Sequence, residues 1–387
     1  MSTVEKTNPR ETKRAWAEIS KQALLNNLQV IVKRSKKAID QIVAVVKANA
    51  YGHGMNLVAP FLEKAGVKIF TVATIDEAMA LRACCPDASI LILGTTDHCF
   101  AHDLKKYDLM QTVVSDDDIL GFAIASEKAG GPPLAIHLKL DTGLSRLGFP
   151  TELDHQASTA EAMVRATTFD SLDVRGVYTH FASSGENPDY TAKQRRLFNE
   201  TLSRAEALGF PHVAHHISNS SAILVPPDDS DDYVRPGLAL YGGKLRSMSD
   251  TDCGLLPVMT VKARIEQIRD IEKGARVSYG GTWTAPKPTR LAVVAMGYAD
   301  GLPRALSNQG SLLYRGHDCP IRGAVCMDHC IVDVTGLSDI KPGETMMFFG
   351  KDSFTQRAAS DVARLCGTID YELFCGISER VPRLLVP

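Results

Sequence analysis

The stretch IVAVVKANAYGHG, residues 42–54, decides the reading of the fold. Its first five residues are apolar and valine-rich, as in a strand buried on both faces. Lys47 follows at once, and Gly52 and Gly54 permit tight backbone turns after it. Similar short runs recur at 68–73, 89–94, 109–114, 134–140, 174–179, 212–217 and 237–241. His215 and His216 interrupt the apolar pattern of the seventh. Most runs are followed by helical spacing of apolar residues, as at 56–64, 75–84, 116–128, 152–167 and 190–208. Another helical pattern covers 17–35, where Leu24, Leu28, Ile31 and Val32 share one face. Eight strand candidates with intervening helices predict an N-terminal (β/α)8 barrel.

Past residue 253 the texture changes. Runs at 258–266, 290–296, 311–314, 321–334 and 345–349 read as strands between Gly, Pro and Asp turns, and only 355–365 reads as a helix. The predicted class is therefore α/β plus β. A barrel covers 15–253, and a mostly β domain covers 254–387.

Composition narrows the function. The 387 residues are 44% hydrophobic and 23% charged, a globular balance with no fibrous or disordered bias. With a formal net charge of -2, the chain offers no electrostatic surface for nucleic acid. No apolar stretch approaches the ~18 residues of a membrane span. The polar opening MSTVEKTNPRETKRAWAEIS lacks a secretory apolar segment, so a cytoplasmic location is expected. Nine cysteines in such a chain are read as reduced thiols. Cys319, Cys326 and Cys330, with His317 and His329, have metal-ligand chemistry, but Cys326 and Cys330 sit in an apolar, strand-like run. No metal is expected.

In a barrel, reactive groups stand just past the carboxyl ends of the strands. Lys47 holds that position, where an amine can form an imine with an aldehyde cofactor. Alone, such a lysine is usually a solvated rim charge. Other rims add to it. Lys139 and Arg146 bracket the fifth run in LKLDTGLSRLG (138–148), and His180 ends the sixth in YTHFAS (178–183). Asn219 and Ser220 follow the seventh in SNSSA (218–222), while Arg235 and Gly237 open the eighth in VRPGLALYG (234–242). Singly, these could be surface charges, a core imidazole, a helix cap or a turn. Barrels often hold phosphate between the seventh and eighth loops, where Ser220 and the backbone of Gly237 and Leu238 fall.

These motifs, with VSYGGTW (277–283), GYADGLPR (297–304), VCMDH (325–329) and SERVPR (378–383), resemble the bacterial pyridoxal-phosphate-dependent alanine racemases over residues 16–383. The resemblance implies that Lys47 carries the pyridoxal 5'-phosphate and that Arg235 faces its pyridine nitrogen. Tyr51, Ser220, Gly237, Leu238 and Tyr371 would hold the phosphate, with Asn219 beside them as a further cofactor-binding donor. Arg146 would lie near the phenolic oxygen and help orient substrate, and Lys139 matches a lysine that is often carbamylated. Tyr279 resembles the second base, supported by His180 and supplied by the other subunit of a homodimer with shared active sites. Met327 resembles the partner-chain contact to the substrate carboxylate, and Tyr298 a residue of the entrance. The implied reaction interconverts L-alanine and D-alanine, Lys47 and Tyr279 acting on opposite faces. Trp283 and Leu144 depart from common family residues without removing a reactive group. A racemase with serine or broader preference, a barrel-type decarboxylase and a non-catalytic cofactor carrier are the alternatives. A chiral assay and carbon dioxide release separate them.

Overall fold

The computed structural model describes residues 13–152, 155–225, 231–243 and 253–387. Strand β1, Ala15–Ser20, opens the described chain, and the helix Lys21–Ser35 follows it directly. Residues 17–20 were expected to be helical. They are strand, because Ser20 is the N-cap and its hydroxyl accepts a bond from the Ala23 amide at 3.2 Å. The helix then buries Leu24, Leu28 and Ile31 on one face.

The quoted apolar run supplies β2, Val43–Val45. Parallel pairing continues through β3 (Ile69–Val72), β4 (Ser89–Ile92), β5 (Leu109–Val113) and β6 (Leu134–Asp141). The two-residue β7, Phe149–Pro150, sits beside β6, which also pairs with β8, Leu172–Tyr178. The last of the series is β9, Ala214–His216.

The eighth strand is a correction. Leu238–Tyr241 is a 3-10 helix, and the barrel closes upstream of it. Val234 bridges Ile42, and Arg235 bridges Asn219, both in parallel sense. The Val43 amide donates to Val234 O at 2.9 Å and the Arg235 amide to Ser218 O at 2.9 Å. Leu238, Ala239, Leu240 and Tyr241 are buried on every side, so their continuous apolarity carried no information about conformation. Arg235 and Gly237 thus end the closing segment and do not open it.

The β region is organised around β10, Met259–Ile271, which pairs antiparallel with β1, with Thr289–Val294 and with Thr345–Lys351. Arg383–Val386 lies parallel to β1, so both ends of the described chain enter this sheet. The helix Ala359–Leu365 is where helical spacing placed one. A second, Asp370–Gly376, was not anticipated. It packs onto the turn after β2: a Cβ at Gly52 would meet Phe374 O at 2.1 Å, and Arg383 Nε donates to Gly52 O at 2.8 Å.

All nine cysteines are free thiols. Among the described residues, no group of three or more His, Cys, Asp or Glu could hold a metal ion. No described helix is long and apolar enough to cross a membrane.

Candidate active site

The carboxyl ends of the barrel strands surround a cavity of about 470 Å³, within the size range of cofactor sites. Lys47 enters it from the end of β2 on an unusual turn. Ala48, Asn49, Ala50 and Tyr51 have φ of 51°, 54°, 55° and 52°, four successive left-handed residues that are not glycine. Such a conformation costs about 1–2 kcal/mol per residue, so other contacts must hold it. The Glu77 carboxylate accepts from the Ala48 amide at 2.6 Å and the Ala73 amide at 2.8 Å. Asn49 Oδ1 accepts from the Met55 amide at 2.7 Å. Gly52 and Gly54 complete the turn at φ 75° and 93°, as their positions in the sequence suggested. Burial and the nearby Arg146 lower the Lys47 pKa, which enlarges its neutral, basic fraction.

Lys139 projects from β6 into the same cavity and is 4% exposed. Burial, reinforced by Arg146 and Arg235, lowers its pKa to about 8. Arg146 and His180 line the cavity from the following loops. His180 is held far below its usual pKa by burial and by Arg235, and is therefore neutral. Its Nδ1 lies 3.5 Å from Arg235 Nη2.

Arg235 is 3% exposed and lowered to a pKa of about 10 by burial, still protonated at neutral pH. Nη1 donates to His216 Nδ1 at 2.7 Å, and Nη2 donates to Thr179 O at 2.6 Å and Ile217 O at 3.2 Å. The guanidinium also lies 5.1 Å over the Tyr178 ring. Its Nε has no protein partner among the described residues, and the residue lines the cavity.

At the other side, Ser220 Oγ accepts from the Gly237 amide at 2.9 Å and the Ala239 amide at 3.2 Å. Asn219 caps the short helix Ser220–Leu224, its Oδ1 accepting from the Ala222 amide at 3.1 Å and Ser184 Oγ at 2.7 Å. Its carbonyl is thus committed to structure, while its amide N–H groups remain as donors. The Tyr51 ring is 5.0 Å from Tyr241 and 5.7 Å from Tyr371, which arrives on the Asp370–Gly376 helix. Leu238 and Cys375 complete this wall.

Tyr279, Tyr298 and Met327 do not line the cavity. They stand in the β region, 75%, 45% and 52% exposed. Backbone bonds join the segments that carry two of them: the Tyr298 amide donates to Cys326 O, and the Ala299 amide to Met327 O, both at 3.0 Å. Ser278 Oγ is 3.4 Å from Cys326 Sγ, which brings Tyr279 to the same patch.

Sequence reasoning missed Glu77, Tyr178, His216 and Cys375. Glu77 carries no signal of its own within the helical run 75–84, and the histidine looked like a break in a strand. Only its spacing from Arg235 in the barrel closure reveals its role.

The chain matches the N-terminal domain of alanine racemase over residues 19–245 and the C-terminal domain over 258–385. It is 37% identical over 376 residues to an alanine racemase of Desulforamulus reducens, covering 96% of this chain and 98% of that one. A solved alanine racemase from Streptomyces coelicolor A3(2) superposes with a TM-score of 0.90 at 35% identity, covering 98% of this chain and all of its counterpart. An alanine racemase from Bartonella henselae, solved with covalently bound pyridoxal phosphate, has a TM-score of 0.84 and 29% identity over 96% of this chain and 99% of that one. Both halves match, in order and over nearly their full length, and so the chain belongs to the alanine racemase family.

Proposed function

We infer that the chain interconverts L-alanine and D-alanine with pyridoxal 5'-phosphate by a two-base mechanism. The observation that carries the cofactor is the charge of the cavity. Lys47, Lys139, Arg146 and Arg235 line it, and among the described residues no Asp or Glu does. Four cationic groups facing one another are costly unless an anion joins them. A phosphorylated aldehyde with a phenolic oxygen fits this set. The Tyr51 hydroxyl packs where a Cβ on Gly237 would stand, so Tyr51, Ser220 and the Gly237–Leu238 backbone meet on one wall of the cavity, a polar set that suits a phosphate.

Lys47 would hold the aldehyde, Tyr51, Ser220, Gly237, Leu238 and Tyr371 the phosphate, and Asn219 would support them through its amide. When bound, the cofactor withdraws electron density from the substrate Cα and makes its proton acidic. Arg235, a cation that donates and does not accept, would meet the ring nitrogen through Nε–H and keep a proton off it. That limits the ring's pull on electrons and disfavours transamination. Lys47, whose amine is deprotonated more readily than usual, takes or returns a proton at Cα on one face.

The opposite face needs a second group. Tyr279 of the partner subunit supplies it, with His180 of the first chain as its hydrogen-bond partner. What supports a homodimer with shared active sites is the exposure of Tyr279, Tyr298 and Met327 in the β region, outside the cavity that holds the chain's own Lys47. Met327 would offer its backbone to the substrate carboxylate, and Tyr298 would narrow the entrance. Arg146 would orient that carboxylate. The test is a chiral assay of both alanine enantiomers with added cofactor and serine as comparator. Equal formation of D- and L-alanine from either enantiomer is expected, and carbon dioxide release without inversion would overturn the assignment.

A further inference from the structure

A second cavity, of about 450 Å³, lies at the amino-terminal mouth of the barrel. Val43, Ile69 and Ser89, the first residues of β2, β3 and β4, line it, so it is the opposite end from Lys47. Its walls are mostly apolar, with Leu91 and Met110 prominent. His137, His216 and Arg175 supply polar edges. His216 is the residue that accepts from Arg235 on the cofactor side, so one side chain touches both systems.

Hydrogen-bond chemistry fixes which nitrogens carry protons here. Arg235 only donates, so His216 Nδ1 accepts. His216 is neutral, held far below its usual pKa by burial and by Arg235, and its single N–H must therefore be on Nε2. That nitrogen lies 3.0 Å from His137 Nδ1, which accepts in turn. His137 is neutral too, pushed to about 4 by burial and by the Arg175 and Arg235 charges against the weaker pull of Asp173. Its proton is then on Nε2. His137 is 8% exposed, and its Nε2 has no protein partner among the described residues. This N–H opens to the cavity, where a bound acceptor can take it. Arg175 donates from Nε to Asp173 at 2.7 Å, and its two terminal nitrogens have no partner among the described residues.

We propose that this lower cavity is a second binding site, for a small carboxylate with a short apolar body. Its oxygens accept from His137 Nε2–H and Arg175, and His216 transmits occupancy to Arg235. The apolar body lies against Val43, Ile69, Leu91 and Met110. An acceptor on His137 polarises the chain of donors behind it, which tightens the bond between His216 and Arg235. The site thereby reaches the guanidinium proposed to face the cofactor ring. That last link rests on the functional reading above, whereas binding itself does not.

The test uses butyrate as probe and the full chain labelled with nitrogen-15 at histidine, with and without pyridoxal phosphate. His137 signals are identified by their loss in His137→Gln. Butyrate should shift the His137 Nε2–H and His216 signals along one saturable curve, and 1-butanol should not. In Arg175→Gln the same curve should weaken about tenfold, the loss expected for one charge-assisted contact. Signals that butyrate leaves in place would overturn the site. Shifts of equal affinity in Arg175→Gln would locate the carboxylate elsewhere and overturn it equally. A response confined to His137 would overturn transmission through His216. Because the shifts need no cofactor, their absence would not be mistaken for failure of the racemase assignment.

Discussion

A Cβ placed on Gly237 would stand 2.5 Å from the Tyr51 hydroxyl and 3.1 Å from its ring. These two residues come from opposite ends of the barrel sequence, and the barrel closure between β2 and Val234–Arg235 presses them together. Gly237→Ala should therefore displace Tyr51 and weaken cofactor binding by about tenfold, equivalent to one lost polar contact. Adding Tyr51→Phe to Gly237→Ala should give little further loss, because the hydroxyl is already out of place. Fluorescence titration with pyridoxal phosphate reads both, and fully additive losses would separate the two residues.

Lys47→Ala should abolish racemisation and the visible absorption of the lysine-linked cofactor. Cofactor can still be retained through the phosphate, so its presence alone decides nothing. The cavity position predicts a folded variant, checked by circular dichroism. Normal turnover by the purified variant would remove Lys47 from the chemistry.

The left-handed turn makes a prediction about stability. Ala48→Gly relieves one strained residue at an exposed position and should stabilise the fold by about 1 kcal/mol. Glu77→Ala should do the opposite, leaving the Ala48 and Ala73 amides without their carboxylate, at a cost of about 1–3 kcal/mol. Denaturant melts of both variants measure this. A neutral Glu77→Ala would mean that the turn holds itself.

Much of this was legible because barrel strands are short apolar runs and their rims carry polar residues at fixed offsets. Lys47, Lys139, Arg146, His180, Ser220 and Arg235 converge as the alternating pattern implied. The pattern failed where burial was complete. Residues 237–241 read as strand because a fully buried 3-10 turn and a fully buried strand are equally apolar. Residues 17–20 read as helix because the N-cap Ser20 was not used as a boundary. Long-range partners such as Arg235 and His216 leave no periodic signal at all.

Lys139 should accept carbon dioxide more readily than an ordinary lysine. Carbamate forms when a neutral amine attacks carbon dioxide and releases one proton, and the depressed pKa of about 8 raises that neutral fraction. At fixed dissolved carbon dioxide, occupancy should climb steeply as pH rises toward about 8, where the amine must also lose its own proton, and less steeply above it until the site is full. The new negative charge would pair with Arg146. Carbon-13 NMR after labelled bicarbonate exchange, with Lys139→Ala as control, follows it. No Lys139-dependent signal at high pH would reject the modification.

Shared active sites can be tested by mixing two inactive dimers. Lys47→Ala lacks the barrel base, and Tyr279→Ala lacks the group proposed to come from the partner subunit. Each homodimer should be nearly inactive. Twofold symmetry would repeat the proposed Lys47–Tyr279 contact and give two equivalent composite sites. After reversible dissociation and equal mixing, random pairing makes about half of the dimers hybrid. One site of each hybrid lacks both groups, and the other retains both. Recovered racemisation should approach about one quarter of the wild-type value per chain. Differential tags verify that hybrids formed, and the two sites must act independently for the fraction to hold. Confirmed hybrids without recovered activity would place Lys47 and Tyr279 in the same chain's chemistry. The 75% exposure of Tyr279 and its absence from the Lys47 cavity argue for recovery.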